Sequence, residues 1–325
     1  MPRLDLTLPE LHEYRPVVAE PSDFDDFWRE TLAESRALGA PATVVPYESP
    51  LTGVDVFDVS FPGFGGHPIK AWLLLPADRS EPLPVVVQYV GYGGGRGLPH
   101  ERLEWAASGY AFLLMDTRGQ GSRWGSGGAT PDPVGHGSAA PGSMTRGIES
   151  QYDYYYRRVY TDAVRAVDFV RSLEGIDPKR VTVSGGSQGG GIAIAVAGLV
   201  PGLAAVLPDV PFLSNFERAV GFTDSDPYNE LVVYLSVHRD AAPRVFETLS
   251  YFDGVNFASR ATAPALYSVA LMDPVCPPST VFASFNAYAG LAEIEVYPFN
   301  EHEGGQGHHW VKQAAWLARQ LTPAE

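Results

Sequence analysis

Ser187 stands in Gly185-Gly186-Ser187-Gln188-Gly189, a Gly-X-Ser-X-Gly pentapeptide between the apolar run Val181-Thr182-Val183-Ser184 and the small-residue stretch Gly189 to Gly198. A strand, a strained turn and a helix in that order lift a serine hydroxyl above a sheet and aim helix N–H groups at it, which favours negative charge developing there. Glycines two positions before and two after remove side chains that would collide at the bend. This is the arrangement of a nucleophile that attacks a carbonyl carbon. Ser184 is the rival, but it lies inside the strand without flanking glycines. A plain small-residue backbone or phosphate-binding turn is the blander reading of the same residues.

A serine hydroxyl is a weak nucleophile until a base takes its proton. On a strand–turn–helix scaffold of this kind the partners follow in the order serine, acid, histidine. Asp273 comes directly after the strand-like run Ala265 to Ala270, at the carboxyl end where sites of parallel sheets gather. Its blander role is a turn cap before Pro274. Asp253 precedes that strand and sits at the wrong end. His302 follows the last strand-like run, Ile294 to Tyr297, with His308 and His309 as rivals at the start of a terminal helix. Grouping these three histidines with Glu301 and Glu303 would suggest a metal, but the spacing is not His-Glu-X-X-His and supplies no pair on one helix face. No metal is expected.

Acyl transfer also needs donors for a tetrahedral oxyanion. The backbone N–H of Gln188 is one, and the loop Gly91-Tyr92-Gly93-Gly94-Gly95-Arg96, after the strand-like run Pro84 to Val90, offers the N–H of Tyr92. Gly91-X-Gly93 with Asp116 downstream also hints at a dinucleotide fingerprint, but Arg96 occupies the position of its last glycine. No organic cofactor is expected. Arg118, in Arg118-Gly119-Gln120, reads as a brace that pairs with a carboxylate near the site.

The elements that must position these residues alternate between strand and helix. A helical arm over about residues 1–45 carries a helix from Ser22 to Leu38 with Ser22 as its cap. Val54 to Val59 and His67 to Leu75 form an antiparallel hairpin turning at Phe61 to Gly66. Buried strands follow at Pro84 to Val90, Tyr110 to Met115, Arg180 to Ser184, Leu203 to Leu207, Ala265 to Ala270 and Ile294 to Tyr297. Helices fall at Arg102 to Ala107, Gln151 to Leu173, Gly189 to Gly198 and about His308 to Leu321, and Gly119 to Gly147 is a long loop. A helical insertion covers about 209–252. The pattern predicts one α/β domain over 1–325, with a mostly parallel central sheet flanked by helices and an antiparallel N-terminal edge.

Composition narrows the partners. The chain has 325 residues, 45% hydrophobic and 19% charged, enough for a large core. Its net charge of −15 repels phosphate backbones and argues against nucleic acid. No run of 18 apolar residues predicts a membrane span. The single cysteine, Cys276, makes neither an internal disulfide nor a thiolate zinc site by itself. With no secretory h-region at the start, a cytoplasmic location is expected.

With these residues in hand, the chain resembles the acetyl xylan esterase and cephalosporin C deacetylase family, the seventh carbohydrate esterase family. The resemblance rests on Arg118-Gly119-Gln120, Gly185-Gly186-Ser187-Gln188-Gly189-Gly190 and His302-Glu303, with Met144-Thr145-Arg146-Gly147-Ile148 and Pro208-Asp209-Val210-Pro211-Phe212-Leu213 in support. It implies an α/β-hydrolase fold, a triad of Ser187, Asp273 and His302, and an oxyanion hole from the N–H groups of Tyr92 and Gln188. It further implies release of acetyl groups from small acetylated alcohols, xylo-oligosaccharides and cephalosporin C among them, hexameric assembly, and no metal or cofactor. Tyr92 and Pro211 would wall a small acyl pocket. Many relatives carry His-Gly-Tyr where this chain has Val90-Gly91-Tyr92. The alternatives are a broad short-chain carboxylesterase, a serine peptidase on the same fold, or a catalytically inactive binding protein. Such peptidases usually carry a large extra domain, for which this length leaves little room.

Overall fold

The computed structural model describes residues 5–135 and 137–322. Residues 1–4 of the expected arm lie outside them. Nine strands form one sheet in the order β1-β2-β3-β5-β4-β6-β7-β8-β9. β1 (Thr43–Pro46), β2 (Val54–Pro62) and β3 (Pro68–Pro76) run antiparallel, and β3 meets β5 (Ala111–Met115) antiparallel as well. From there β5, β4 (Leu83–Tyr89), β6 (Ile176–Gly186), β7 (Ala205–Asp209), β8 (Ala265–Ala270) and β9 (Ala292–Tyr297) are all parallel neighbours. The chain leaves β4 toward β5 on one side and returns to β6 on the other, so the loops after β4 and β6 part at the point where ligand crevices form in such sheets.

Side-chain alternation along the inner strands divides the core into two layers. Val85, Val87 and Tyr89 of β4 with Ala111, Leu113 and Met115 of β5 point to one face. Val86 and Val90 with Phe112 and Leu114 point to the other. The larger layer is covered by α1 (Leu8–Glu13), α2 (Phe24–Arg36), α4 (Tyr155–Arg171), α5 (Gln188–Leu199), α9 (Gly254–Ala258) and α10 (Pro278–Ala287). The smaller lies under α3 (Glu104–Ala107) and α11 (Gln306–Leu321), with Trp72, Trp105 and Trp316 at its centre. Between β7 and α9 the chain folds into α6 (Phe216–Val220), α7 (Tyr228–Val237) and α8 (Ala242–Ser250).

Several boundaries differ from the pattern reading. α2 begins after Asp23, not Ser22, and the Asp23 carboxylate accepts the Tyr251 hydroxyl instead of capping its own helix. α4 begins at Tyr155, four residues later than expected, because residues 150–153 form turns and Tyr154 is extended. The apolar spacing of the neighbouring tyrosines does not distinguish helix from a packed turn. The short β1, exposed along its length, and the helices α1, α9 and α10 carry too little periodicity to stand out.

Candidate active site

β6 delivers Ser187 to the N-terminus of α5. Ser187 sits at φ 56°, in the left-handed region that costs an ordinary residue energy. The bend closes so tightly that a Cβ on Gly185 would lie 2.4 Å from the Gly189 carbonyl carbon, and one on Gly189 would lie 2.2 Å from the Tyr89 carbonyl oxygen. Glycine at both places is therefore a steric requirement of the elbow. Ser187 N–H donates to the Asp209 carbonyl at 2.9 Å and fixes the turn against β7.

Asp273 and His302 arrive from the loops after β8 and β9. The Ser187 hydroxyl and His302 Nε2 are 2.9 Å apart, and His302 Nδ1 is 2.8 Å from Asp273 Oδ2. The other carboxylate oxygen accepts the N–H groups of Val275 (2.8 Å) and Cys276 (2.9 Å). Asp273 is thus fully hydrogen-bonded at a side chain with no exposure, while His302 is partly open to the cleft. The structure brings together the three residues expected from chain order. His309 is instead buried, its Nδ1 2.9 Å from the Tyr297 hydroxyl and its Nε2 2.9 Å from Asp209, and His308 is exposed.

Among the described residues, Asp273, Cys276 and His302 place donor atoms within 4.8 Å of one another. They make a poor cation site. Burial pushes the Cys276 thiol well above its ordinary range and keeps it neutral, and both His302 nitrogens already face hydrogen-bond partners.

The loop after β4 and the N-terminus of α5 are joined by Gln120. Its Oε1 accepts Gly93 N–H at 2.7 Å, and its Nε2 donates to Gln188 Oε1 at 2.9 Å and to the Tyr155 hydroxyl at 3.1 Å. Gln188 Oε1 also accepts the Tyr156 hydroxyl, and its Nε2 donates to the Val90 carbonyl at 3.0 Å. As the first residue of α5, Gln188 has a backbone N–H without an intrahelical acceptor. Tyr92 has its carbonyl held by the Trp124 indole N–H at 2.7 Å. The Arg118 guanidinium, fully buried, grips Asp162 with two hydrogen bonds of 2.6 and 2.7 Å, and Gly119 N–H donates to the Thr130 carbonyl at 2.8 Å. Asp116, the acid of the dinucleotide pattern, is spent on the backbone, accepting Arg96 N–H at 2.9 Å and Ala129 N–H at 2.5 Å.

Ser187 and His302 open on a cleft of about 490 Å³. Gly91, Tyr92, Val210 and Val275 line it near the serine, and Arg123, Trp124, Asp226 and Glu303 also contribute. Arg123 pairs with Asp226 at 3.1 Å with both side chains half exposed. Pro211 is not part of the wall, contrary to expectation. It is buried against Gly190, and the preceding Val210 takes that place. Val90 is buried in the smaller core layer and presents nothing to the cleft. Trp124, Arg123 and Asp226 escaped the sequence reading; a lone tryptophan amid the glycines of residues 119–128 was the one available signal.

The acetyl xylan esterase (AXE1) family model matches residues 1–320 of this chain. The chain belongs to the acetyl xylan esterase family. It is similar to the acetyl esterase Axe7A of Xylanibacter ruminicola, 30% identical over 326 residues that cover 96% of this chain and 70% of that protein. The solved acetyl xylan esterase from Paenibacillus sp. R4 superposes with a TM-score of 0.92 at 40% identity, covering 97% of this chain and all of that one. Acetyl xylan esterase 1 from Thermoanaerobacterium sp. JW/SL YS485 gives 0.90 at 29%, covering 98% and 100%. The architecture is that of the α/β-hydrolases, and this acetyl xylan esterase family member is a carboxylic ester hydrolase.

Proposed function

We propose that the chain removes acetyl groups from small acetylated carbohydrates through an acetyl-enzyme on Ser187. The observation that carries this reading is the continuous relay Asp273–His302–Ser187, with contacts of 2.8 and 2.9 Å, opening on a cleft beside a helix N-terminus. Ser187 Oγ attacks the acetyl carbonyl carbon while its proton passes to His302 Nε2. The oxyanion is held by the N–H groups of Gln188 and Tyr92. Asp273 keeps the imidazole oriented and stabilises it once protonated. His302 then protonates the departing alcohol oxygen, and water repeats the sequence to release acetate.

The cleft supports a polar, uncharged alcohol. Trp124, 44% exposed, offers a flat apolar face beside the Arg123–Asp226 pair, a combination suited to a sugar ring and its hydroxyls. Acetylated xylo-oligosaccharides and cephalosporin C are carried forward as the substrates that the family resemblance implies. Hexameric assembly stands on the same resemblance, and mass measurement in solution tests it.

Ser187→Ala should lower acetate release by several orders of magnitude and abolish labelling by a fluorophosphonate probe. Retained labelling would refute the nucleophile. Rates compared for acetyl, butyryl and peptidyl substrates with the same alcohol or amine separate an acetyl esterase from the broad esterase and the peptidase.

A further inference from the structure

Glu230, on α7, is buried to 4% exposure and has no place in the relay. Both its oxygens reach the Tyr92 hydroxyl, at 2.7 and 2.9 Å, although the two residues are 138 positions apart. Oε2 also accepts the Met144 N–H at 3.0 Å, and the Tyr92 oxygen in turn accepts the Ser143 N–H. The backbone at Gly142 passes so close that a Cβ there would lie 2.1 Å from Glu230 Oε1. One carboxylate thus ties the loop after β4, the loop over residues 142–144 and helix α7 together.

Burying a carboxylate is costly, and an apolar side chain would fill the space at lower cost. Burial raises the Glu230 carboxyl above its ordinary range, and the hydrogen bonds from Tyr92 and Met144 oppose that rise. What the carboxylate alone supplies is two acceptor atoms for donors arriving from two loops. Tyr92 is then held at three points: its hydroxyl by Glu230, its carbonyl by Trp124, and the next N–H by Gln120. These contacts fix the Tyr92 ring and the peptide plane that follows it, and so restrict the backbone rotation that turns the Tyr92 N–H.

We propose that Glu230 is a positioning residue of the reaction: through the Tyr92 hydroxyl it aims the Tyr92 backbone N–H at the oxyanion, which gives the helical segment after β7 a direct task in catalysis. This rests on the reading of Tyr92 N–H as an oxyanion donor.

The test is steady-state kinetics on an aryl acetate with Glu230→Gln, Tyr92→Phe and the double variant, alongside binding of a trifluoromethyl ketone, which adds to the serine and presents an oxyanion. Glutamine keeps the shape of the side chain but turns an N–H₂ toward one of the donors. Each single variant should lower kcat by roughly 10- to 100-fold, the scale of a misplacement of about 1 Å, with KM changed less than about threefold. The ketone should lose affinity by a similar factor. The double variant should be no worse than either single one, because both changes break the same link. Wild-type kcat in Glu230→Gln, with or without a lower Tm, overturns the proposal and leaves the donor assignment standing. Lower kcat with unchanged ketone affinity overturns the donor assignment itself. Should Glu230→Gln fail to fold, Tyr92→Phe cuts the same link from the other end, and its wild-type kcat would overturn the proposal equally.

Discussion

Replacing Arg118 by Met leaves a carboxylate stranded in the core. The guanidinium has no exposure, makes two hydrogen bonds to Asp162, and lies 3.5 Å from Asp132, which Arg158 also holds at 3.0 Å. Without Arg118, Asp162 keeps the Phe64 N–H at 2.8 Å. Breaking a buried pair from one side costs about 3–5 kcal/mol. Unfolding entropy of about 2.1 cal/mol/K per residue gives about 0.7 kcal/mol/K for 325 residues. The variant should therefore unfold about 4–7 °C below the parent in a thermal scan near neutral pH. The pH dependence has a definite sign. Burial already raises the Asp162 carboxyl, and Arg118 is the main influence opposing that rise. Removing Arg118 raises it further, so the folded variant binds a proton that its unfolded chain has released. Its deficit against the parent must widen as pH rises through the raised Asp162 carboxyl and narrow on the way back. Adding Asp162→Asn should recover more than half of the loss, since the stranded charge is gone while an oxygen still accepts from Phe64. A Tm within about 1 °C of the parent at pH 8, or no recovery with the second change, would refute the account.

Two further predictions concern groups behind the site. Asp253 caps α9 and accepts the N–H groups of Val255, Asn215 and Phe216, yet burial pushes its carboxyl up to about 6. A carboxyl raised in the folded state loses stability as pH rises from about 4 to 6, here on the order of 3 kcal/mol. Urea unfolding between pH 4 and 7 should show this slope in the parent and not in Asp253→Asn; parallel curves would contradict it. Cys276 is fully buried with its thiol pushed well up, so a thiol reagent should find no reactive group in the native protein and one per chain after denaturation. Fast labelling of the native protein would show that the loop over residues 274–277 opens.

Legibility in the sequence followed how local each constraint is. The elbow is written into five consecutive residues, because a bend that leaves 2.2 Å for a Cβ admits only glycine. Asp273 and His302 could be found because each comes soon after a strand, and strand order fixes where those loops emerge. The inner strands were readable from continuous apolar runs, whereas β1 is four exposed residues with no pattern to recognise. Pro211 failed as a wall because a one-residue offset after β7 decides between core and cleft, and Val210, at φ 37°, turns in an unusual direction there. Glu230 left no trace, since nothing near position 230 indicates that a tyrosine 138 residues earlier will present a hydroxyl.

Gln120 shows how the two kinds of information meet. In the sequence it is the last residue of a short motif whose arginine reads as a brace. In the fold its single amide accepts from Gly93 and donates to Gln188, touching both arms that supply the proposed oxyanion donors. Arg118, two residues earlier, is anchored in α4 through Asp162, and its carbonyl accepts the Tyr155 hydroxyl from the same helix. The ion pair is buried and away from the cleft, and it anchors the chain two residues before Gln120. The Arg-Gly-Gln spacing follows, because Gly119 at φ 67° makes the turn that carries the chain from the anchor in the core to the amide between the arms. The contacts run without a break from α4 through Arg118 and this one turn to Gln120, and from Gln120 to both arms.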